Sequence, residues 1–201
     1  MRVCFLGDSF VNGTGDPEYL GWVGRLCGSA RQTRPDLTSY NLGIRRETSR
    51  QLRQRWRQEV ALRLPAEVEG RLVFSFGAND TTVENGRQRL ATVDSLDHLR
   101  AILTEAKAGF PVLMIGAPAI ADPEHTARIE TLSHKMAIVC HSLSVPYLDT
   151  VSTLKRSEVW MQEVAAGDGA HPGAAGYAAF AELVENWAAW QAWVCQKAPT
   201  D

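Results

Sequence analysis

The chain opens with Met1-Arg2-Val3-Cys4-Phe5-Leu6-Gly7-Asp8-Ser9-Phe10. The apolar run starts almost at the first residue and stops at Gly7. It is too short for a signal peptide and ends in polar residues, so we predict a buried first strand over Arg2 to Leu6. Gly7-Asp8-Ser9-Phe10 would then lie at the carboxyl end of that strand. This strand, with its polar end, is the starting point for the fold.

Apolar runs of strand length alternate with amphipathic stretches of helix length along the rest of the chain. This alternation predicts repeated β-α units around a parallel sheet. Gly, Asn, Asp or Pro follows each apolar run, and these residues end strands. The predicted strands are Arg2 to Leu6, Thr38 to Leu42, Leu72 to Phe76, Pro111 to Ile115 and Pro146 to Leu148.

Five helices are predicted between and after these strands. In the second one an apolar stripe recurs every four residues, so we expect Arg53, Arg55 and Arg57 to face solvent. The last helix carries three tryptophans, which we interpret as packing against the sheet, with an oligomer interface or a substrate wall as alternatives. The predicted helices are Glu18 to Arg31, Glu47 to Leu64, Val93 to Ala108, Glu124 to Leu143 and Ala174 to about Gln196.

Composition bounds the class of protein. The 201 residues carry a formal charge of −2, with 45% apolar and 22% charged residues, which is typical of a globular protein. We predict one domain over residues 1–197 with a frayed tail at 198–201. No basic stripe for nucleic acid and no membrane span is recognised. Oligomeric state is left open, and a homo-oligomer is one outcome.

The cysteines and histidines give no sign of a metal or a disulfide. The four cysteines are widely separated, so we predict reduced, buried thiols in a cytoplasmic protein. His98, His125, His134 and His141 lack ligand spacing and are interpreted as surface or satisfied helix residues. Gly13-Thr14-Gly15 lacks the spacing of a nucleotide-binding loop. We therefore predict no metal and no cofactor.

Two other polar strings complete a chemical set with Ser9. Gly77-Ala78-Asn79-Asp80 follows the third predicted strand, and Asp168-Gly169-Ala170-His171-Pro172 lies on a late loop. In a flavodoxin-like strand order, 2-1-3-4-5, the first and third strands are neighbours, which brings Ser9 and Asn79 side by side.

These residue types suit ester hydrolysis through an acyl-enzyme. Ser9 needs a base to accept its proton, and His171 can act as that base near neutral pH. Asp168, three residues before it, can orient the imidazole, while Asn79 and the backbone N–H of Ser9 can stabilise an oxyanion. Each string alone is also compatible with an ordinary turn. The conjunction of all three favours the catalytic interpretation.

The sequence at this point resembles the SGNH, or GDSL-like, hydrolase family. Gly7-Asp8-Ser9 matches its first block, Asn41 to Ser49 the second, Gly77-Ala78-Asn79-Asp80 the third and Asp168 to Pro172 the last. The resemblance implies a three-layer, flavodoxin-like α/β/α sandwich. It also implies metal-independent hydrolysis of esters, sometimes thioesters, by a Ser-Asp-His triad.

The second block departs from the family pattern. Alignment on Asn41 and Glu47-Thr48 puts Arg46 where the family has its oxyanion glycine, and Gly43 comes three positions too early. The backbone N–H of Arg46 can still serve the oxyanion hole, although a glycine there can reflect a positive φ. Two interpretations of the side chains stay open. Either Arg45 or Arg46 reaches over the cleft and favours small acyl groups or anionic or carbonyl-bearing substrates, or both arginines point to solvent.

We therefore predict a serine esterase acting on a small-molecule ester, with short acyl groups favoured. Ser9, Asp168 and His171 form the predicted triad, and Ser9, Arg46 and Asn79 the oxyanion hole. Asp8, Gly43, Arg45 and Asp80 are predicted to support the site or bind substrate. The alternatives are a carbohydrate O-acetylesterase, a lysophospholipase- or thioesterase-type hydrolase, and a non-catalytic ligand-binding module on the same fold.

Overall fold

The computed structural model describes residues 1–195, so the predicted tail at 198–201 lies outside the described residues. Five strands form one parallel sheet in the order β2-β1-β3-β6-β7, and two short strands form an antiparallel hairpin. The strands are β1 (Arg2–Gly7), β2 (Thr38–Gly43), β3 (Gly70–Ser75), β4 (Val83–Glu84), β5 (Arg87–Gln88), β6 (Val112–Ile115) and β7 (Tyr147–Leu148).

The predicted strand order 2-1-3-4-5 is confirmed, since β6 and β7 are the fourth and fifth strands of the prediction. In the register of the sheet, Gly7 of β1 lies opposite Gly43 of β2 and Ser75 of β3. These three strands therefore end at the same level. The segments that leave them must meet at one edge of the sheet, where ligands bind in open parallel sheets.

The helices alternate with the strands, and several short ones were not predicted. Their bounds are α1 (Ser9–Asn12), α2 (Gly21–Ala30), α3 (Ser49–Ala61), α4 (Thr92–Lys107), α5 (Pro123–Ser142), α6 (Val151–Leu154), α7 (Glu158–Ala166), α8 (Ala174–Glu185) and α9 (Ala188–Val194).

Two helices begin later than predicted because side chains cap their first turns. The carboxylate of Asp16 accepts the N–H groups of Glu18, Leu20 and Gly21 at 3.1, 3.1 and 2.7 Å, which fixes a loop up to the start of α2. Thr48 is extended, and its N–H donates to Gln51 Oε1 at 3.0 Å, so α3 starts at Ser49. Both caps satisfy N–H groups that a helix end leaves free.

Successive residues of β1 point to opposite faces of the sheet and feed two separate apolar cores. Phe5 packs in one core with Trp22 of α2, Trp160 of α7 and Phe180 of α8. The other core takes Cys4, Leu6 and the apolar stripes of α3, α4 and α5. Helices on both faces of a parallel sheet make the three-layer α/β/α architecture.

The predicted last helix is two helices, α8 and α9, separated at Asn186 and Trp187. Trp190 and Trp193 are buried, and Trp187 packs against the same core, as the packing interpretation of the tryptophans requires. Cys195 is exposed, so the prediction that the cysteines are buried holds for Cys4, Cys27 and Cys140 but is wrong for Cys195. Among residues 1–195, no helix has the length and apolar character needed to cross a membrane.

Candidate active site

Ser9 is the first residue of α1, immediately after the end of β1. Asp8 caps this short helix, with its Oδ1 accepting the N–H of Phe10 at 3.0 Å. The strand, the cap and the turn leave the Ser9 side chain at the carboxyl end of the central strand of the sheet. The backbone position of Ser9 is therefore fixed on one side by the end of β1 and on the other by the cap of α1.

The loop between α7 and α8 brings a histidine to this serine. His171 Nε2 lies 2.7 Å from Ser9 Oγ, and His171 Nδ1 lies 2.8 Å from Asp168 Oδ2. The other carboxylate oxygen of Asp168 accepts the N–H groups of Ala170 and His171 at 3.0 and 2.9 Å. One tight turn thus presents the imidazole and orients it.

Hydrogen bonds keep Asp168 ionised. Its partial burial would raise the pKa, but hydrogen bonds from the backbone and imidazole of His171 and from the Ala170 N–H outweigh this effect and hold the Asp168 pKa at about 2. The carboxylate can therefore only accept hydrogen bonds near neutral pH, which requires His171 to carry its proton on Nδ1. Nε2 is then left with the lone pair that a base needs.

The imidazole is also packed into place. Phe10 lies beside it, with ring centroids 5.0 Å apart. Gly15, at φ +90°, lies so close on another side that a Cβ there would be 3.0 Å from the Cβ of His171. Tyr177 Oη donates to the Thr14 carbonyl at 2.8 Å and ties this glycine loop to α8.

Asn79 follows β3 on the segment beginning at Gly77, whose φ is +128°. Asn79 Nδ2 lies 3.3 Å from Asp8 Oδ2, so the block that follows β3 meets the block that follows β1, as the strand order predicts. Its neighbour Asp80 is buried and accepts the Ser49 N–H at 2.8 Å, which anchors the start of α3. Burial raises the pKa of Asp80, and the hydrogen bonds from Ser49 oppose that shift.

The segment after β2 closes the third side of the site. Gly43 packs so tightly on α1 that a Cβ there would lie 2.2 Å from the Asn12 nitrogen and 2.7 Å from the Asp8 carbonyl oxygen. Gly43 is thus required for backbone packing. Arg46, at φ +65°, occupies the left-handed region that favours glycine. The backbone therefore keeps a glycine-type conformation although the residue is arginine.

The two arginines of this segment point in different directions. Arg46 Nη2 pairs with Glu84 of β4 at 2.8 Å, and Arg89 donates to the Arg46 carbonyl at 2.9 Å. The β4-β5 hairpin and the residue after it thus hold both ends of Arg46. Arg45 Nη2 lies 3.8 Å from Asp168 Oδ2, and 63% of the Arg45 side chain is exposed. Arg45 is thus beside the cleft and open to solvent at once, whereas the exposed Arg46 side chain points to the hairpin.

Sequence reasoning missed the Arg55 clamp, the set of contacts from Arg55 to Glu47, Leu42 and Gly7 that holds this segment. Arg55 was predicted to face solvent, which is wrong: its Nε and Nη2 each lie 2.6 Å from the carboxylate of the buried Glu47. Its Nη2 also donates to the Leu42 carbonyl at 2.7 Å and the Gly7 carbonyl at 3.4 Å. Arg55 lies off the apolar stripe of α3, and an arginine pointing toward a sheet edge has the same local sequence pattern as a solvated one.

The site opens into two adjoining cavities on the His171 side. The first, of about 420 Å³, is lined by His171, Asp168, Gly167, Arg45, Thr14 and Gly15 among others. The second, of about 460 Å³, shares Thr14, Gly15 and Arg45 and extends to Asn12 and Tyr19. Within residues 1–195 no cluster of three or more His, Cys, Asp or Glu side chains could hold a metal ion. His125 Nε2 lies 3.0 Å from the Ala78 carbonyl oxygen, consistent with a satisfied helix residue.

Comparison with models of known protein families identifies the family of this chain. The model of the GDSL-like lipase/acylhydrolase family matches residues 5–179. The chain belongs to this family, and it is a hydrolase of the esterase class. A comparison with curated protein sequences gives no significant match.

Solved structures share the fold. A lipase/acylhydrolase from Enterococcus faecalis has a TM-score of 0.72 at 21% identity, over 92% of this chain and 93% of that one. Axe2, an acetylxylan esterase from Geobacillus stearothermophilus, has a TM-score of 0.71 at 18% identity, over 98% and 94%. The crystal structure of TesA gives 0.73 at 23% identity, over 92% and 96%.

Proposed function

We propose that this protein hydrolyses short-chain carboxylic esters through an acyl-enzyme on Ser9. The observation that carries the proposal is the continuous hydrogen-bonded path from Ser9 Oγ to His171 Nε2, at 2.7 Å, and from His171 Nδ1 to Asp168 Oδ2, at 2.8 Å. A serine, a base and an orienting carboxylate in this geometry form the arrangement used for acyl transfer on several unrelated folds.

In the first half of the reaction Ser9 Oγ forms a bond to the ester carbonyl carbon and gives its proton to His171 Nε2. The carbonyl π electrons move to the oxygen, which becomes an oxyanion. Asp168 stabilises the imidazolium through the Nδ1 hydrogen bond. The intermediate collapses when the C–O bond to the leaving group breaks and the leaving oxygen takes the proton from His171. An alcohol departs and Ser9 carries the acyl group.

The second half repeats these steps with water. His171 removes a proton from water, the oxygen attacks the acyl carbon, and the Ser9 Oγ bond breaks as His171 returns the proton to the serine. The products are a carboxylic acid and free enzyme. In both halves we assign the oxyanion to Asn79 Nδ2 and the backbone N–H groups of Ser9 and Arg46. One such donor accounts for roughly 3 to 4 kcal/mol of the barrier.

The preference for short acyl groups follows from the apolar residues next to Ser9. Phe10 and Val11 are buried in the core and pack against other core side chains rather than lining an open groove. An acyl chain gains about 0.8 kcal/mol for each methylene that it buries against apolar surface, and side chains already packed in the core offer little of that gain. Activity should therefore be highest on acetyl and butyryl esters.

One feature favours a carbohydrate O-acetylesterase as the second candidate. Because His171 protonates the leaving group, the cavities on its side belong to the alcohol portion of the substrate. There Tyr19 is 93% exposed at φ +58°, although the Asp16 carboxylate fixes its loop, and Arg45 lies between the two cavities. An exposed ring beside hydrogen-bond donors suits the C–H face and hydroxyls of a sugar. Axe2, which has the same fold, is an acetylxylan esterase.

The experiment is hydrolysis of p-nitrophenyl acetate, butyrate and longer homologues by the wild type, Ser9→Ala and His171→Ala. His141→Ala is the matched control, because His141 is exposed on α5. We expect kcat losses of at least about 10³-fold in the two site variants and wild-type rates in the control. Comparable activity in Ser9→Ala, or a preference for long chains, would contradict the proposal.

The candidate functions are distinguished by the alcohol portion of the ester that the enzyme prefers. With acetylated xylo-oligosaccharides, the O-acetylesterase candidate predicts that Tyr19→Ala and Arg45→Ala raise KM by about tenfold, the equivalent of one ordinary polar or stacking contact, while p-nitrophenyl acetate kinetics change little. Leu62→Ala, another exposed side chain, is the control. A lysophospholipase- or thioesterase-type hydrolase would instead prefer lysophospholipids or thioesters to both of these substrates. The non-catalytic alternative conflicts with membership of a hydrolase family.

The cellular location stays a prediction. Cys4, Cys27, Cys140 and Cys195 form no disulfide, and burial raises the pKa of the Cys4 thiol to about 12. Four unpaired thiols, three of them buried, fit a reducing compartment such as the cytoplasm.

A further inference from the structure

The carboxyl group of Asp8 is buried at the centre of the site, yet the proposed reaction assigns it no step. The residue is 2% exposed and lies directly before the nucleophile. Its two oxygens have separate partners: Oδ1 accepts the Phe10 N–H at 3.0 Å, and Oδ2 accepts from Asn79 Nδ2 at 3.3 Å. The side chain therefore joins the cap of the nucleophile helix to the side chain proposed to bind the oxyanion.

The groups around Asp8 disfavour a negative charge there. Asp80 after β3 and Glu47 after β2 repel a charge on Asp8, and Glu47 is itself paired with Arg55. Burial and nearby carboxylates, Asp8 among them, raise the pKa of Tyr177 on α8, so that phenol stays neutral and adds no charge. Burial, followed by the repulsion of Asp80 and Glu47, raises the pKa of Asp8 to about 7, against the opposing hydrogen bonds of Phe10 and Asn79. Burying a carboxylate in such surroundings is costly, and carboxyl groups perturbed in this way are frequent at functional sites.

An asparagine side chain can bind an oxyanion with only one of its two ends. Its amide nitrogen and its carbonyl oxygen have nearly the same size and shape, so packing alone does not select between the two orientations. A carboxylate only accepts hydrogen bonds, so it can face the nitrogen but not the oxygen of Asn79. The nitrogen carries two hydrogens, and a bond to Asp8 leaves the second one for another acceptor.

We propose that Asp8 is a positioning residue whose carboxylate orients the carboxamide of Asn79, so that an N–H rather than a carbonyl oxygen faces the oxyanion formed on Ser9. The inference rests on the proposed function and deepens it, because it extends the oxyanion hole to a residue that does not touch substrate.

Replacing Asp8 by asparagine should reverse the amide of Asn79. Asparagine caps helices as well as aspartate does, so its oxygen stays on the Phe10 N–H and its NH₂ group faces residue 79. The Asn79 carboxamide then turns its oxygen toward that NH₂, which puts the oxygen where the N–H is needed. Protonation of the wild-type carboxyl has the same effect. Because Oδ1 is occupied by Phe10, the proton lies on Oδ2 and donates to the Asn79 oxygen.

The test is a double-mutant cycle with p-nitrophenyl acetate, comparing Asp8→Asn, Asn79→Ala and the double variant. Removal of one oxyanion donor costs about 10²- to 10³-fold in kcat, and we expect both single variants to fall in this range with KM little changed. In the Asn79→Ala background, Asp8→Asn should cost no more than about threefold, because there is no amide left to orient. The exposed Asp97→Asn is the control and should behave as wild type.

A purely structural role for Asp8 gives a different pattern. The fold-losses in kcat of Asp8→Asn and Asn79→Ala would then multiply in the double variant. This result would overturn the proposal. Wild-type kcat in Asp8→Asn would also overturn it. These outcomes differ from failure of the proposed function itself, in which the wild type would neither hydrolyse esters nor react with a serine-directed phosphonate.

A second measurement needs no substitution at Asp8. Two groups, Asp8 and the imidazole of His171, must be deprotonated in the wild type, so the acid limb of log kcat/KM against pH should reach a slope of 2. In Asn79→Ala only His171 matters and the slope should be 1. Equal slopes in the two proteins would contradict the positioning role.

Discussion

At the residue scale, the hydrogen bonds of Asp168 affect the stability of the protein as well as the proposed reaction. A carboxyl group whose pKa is lowered by folding stabilises the native state above its unfolded pKa, and that contribution disappears as the pH falls through the folded pKa. For Asp168 the folded pKa is about 2, against an ordinary value near 4. The stabilisation is therefore complete at neutral pH and lost between about pH 4 and pH 2.

This predicts the pH dependence of one variant. Asp168→Asn should melt at a lower temperature than the wild type at pH 7, and the difference should shrink as the pH falls from about 4 toward 2. Half of the Asp168 side chain is exposed, so the difference should be small. Differential scanning calorimetry across this range is the measurement, with Asp97→Asn as control. A difference that grows at low pH would contradict the assignment.

Arg46 gives a second prediction at this scale. Its φ of +65° is strained for any residue with a Cβ, by about 1 kcal/mol, and its side chain points to Glu84 rather than into the cleft. Arg46→Gly relieves that strain. It also loses an exposed ion pair, and a glycine loses more backbone entropy on folding than an arginine does. The free energy of unfolding should therefore change by less than about 1 kcal/mol.

The substrate range and the affinity for oxyanion inhibitors should be unchanged in Arg46→Gly, because the backbone N–H stays. Chemical unfolding and an ester panel measure the two properties, with Arg100→Gly, an exposed helical position, as the contrast that should lose stability. A changed chain-length preference in Arg46→Gly would show that the guanidinium does reach the substrate.

At the scale of elements, the segment between β2 and α3 is held by one arginine. Arg55 joins Glu47 and the ends of β1 and β2, and both partners of the ion pair are largely buried. Arg55→Met keeps much of the side-chain volume but leaves the Glu47 carboxylate without its cation. Breaking a buried pair in this way should cost about 3 kcal/mol in the free energy of unfolding.

Because this segment carries the Arg46 N–H, Arg55→Met should also lower kcat in the protein that remains folded. Urea unfolding and ester kinetics measure the two effects. Arg53→Met, on the exposed side of the same helix, should be within about 0.5 kcal/mol of the wild type. Equal stability of the two variants would mean that the clamp contributes nothing.

At the scale of the whole molecule, the ends of the strands were predictable because Gly, Asn, Asp or Pro follows each apolar run. The strand order came from the flavodoxin-like topology that the β-α alternation and the family resemblance suggested. Placement of Ser9 beside Asn79 followed from that order, and the short spacing from Asp168 to His171 put both on one turn. The break between α8 and α9 was not predictable, because it falls at Asn186 and Trp187, where neither a glycine nor a proline marks the end of a helix. Arg55 and the direction of the Arg45 side chain depend on contacts far apart in sequence, which periodicity does not encode.

The central claim is that Ser9 becomes acylated, and a covalent serine probe tests it most directly. The wild type, incubated with a fluorophosphonate and digested, should give one modified peptide, with the adduct on Ser9 and none on Ser49, which is fully buried. Ser9→Ala should remain unlabelled, and His171→Ala should label far more slowly because the serine has lost its base. Folded wild-type protein that stays unmodified, or an adduct on another serine, would contradict the account.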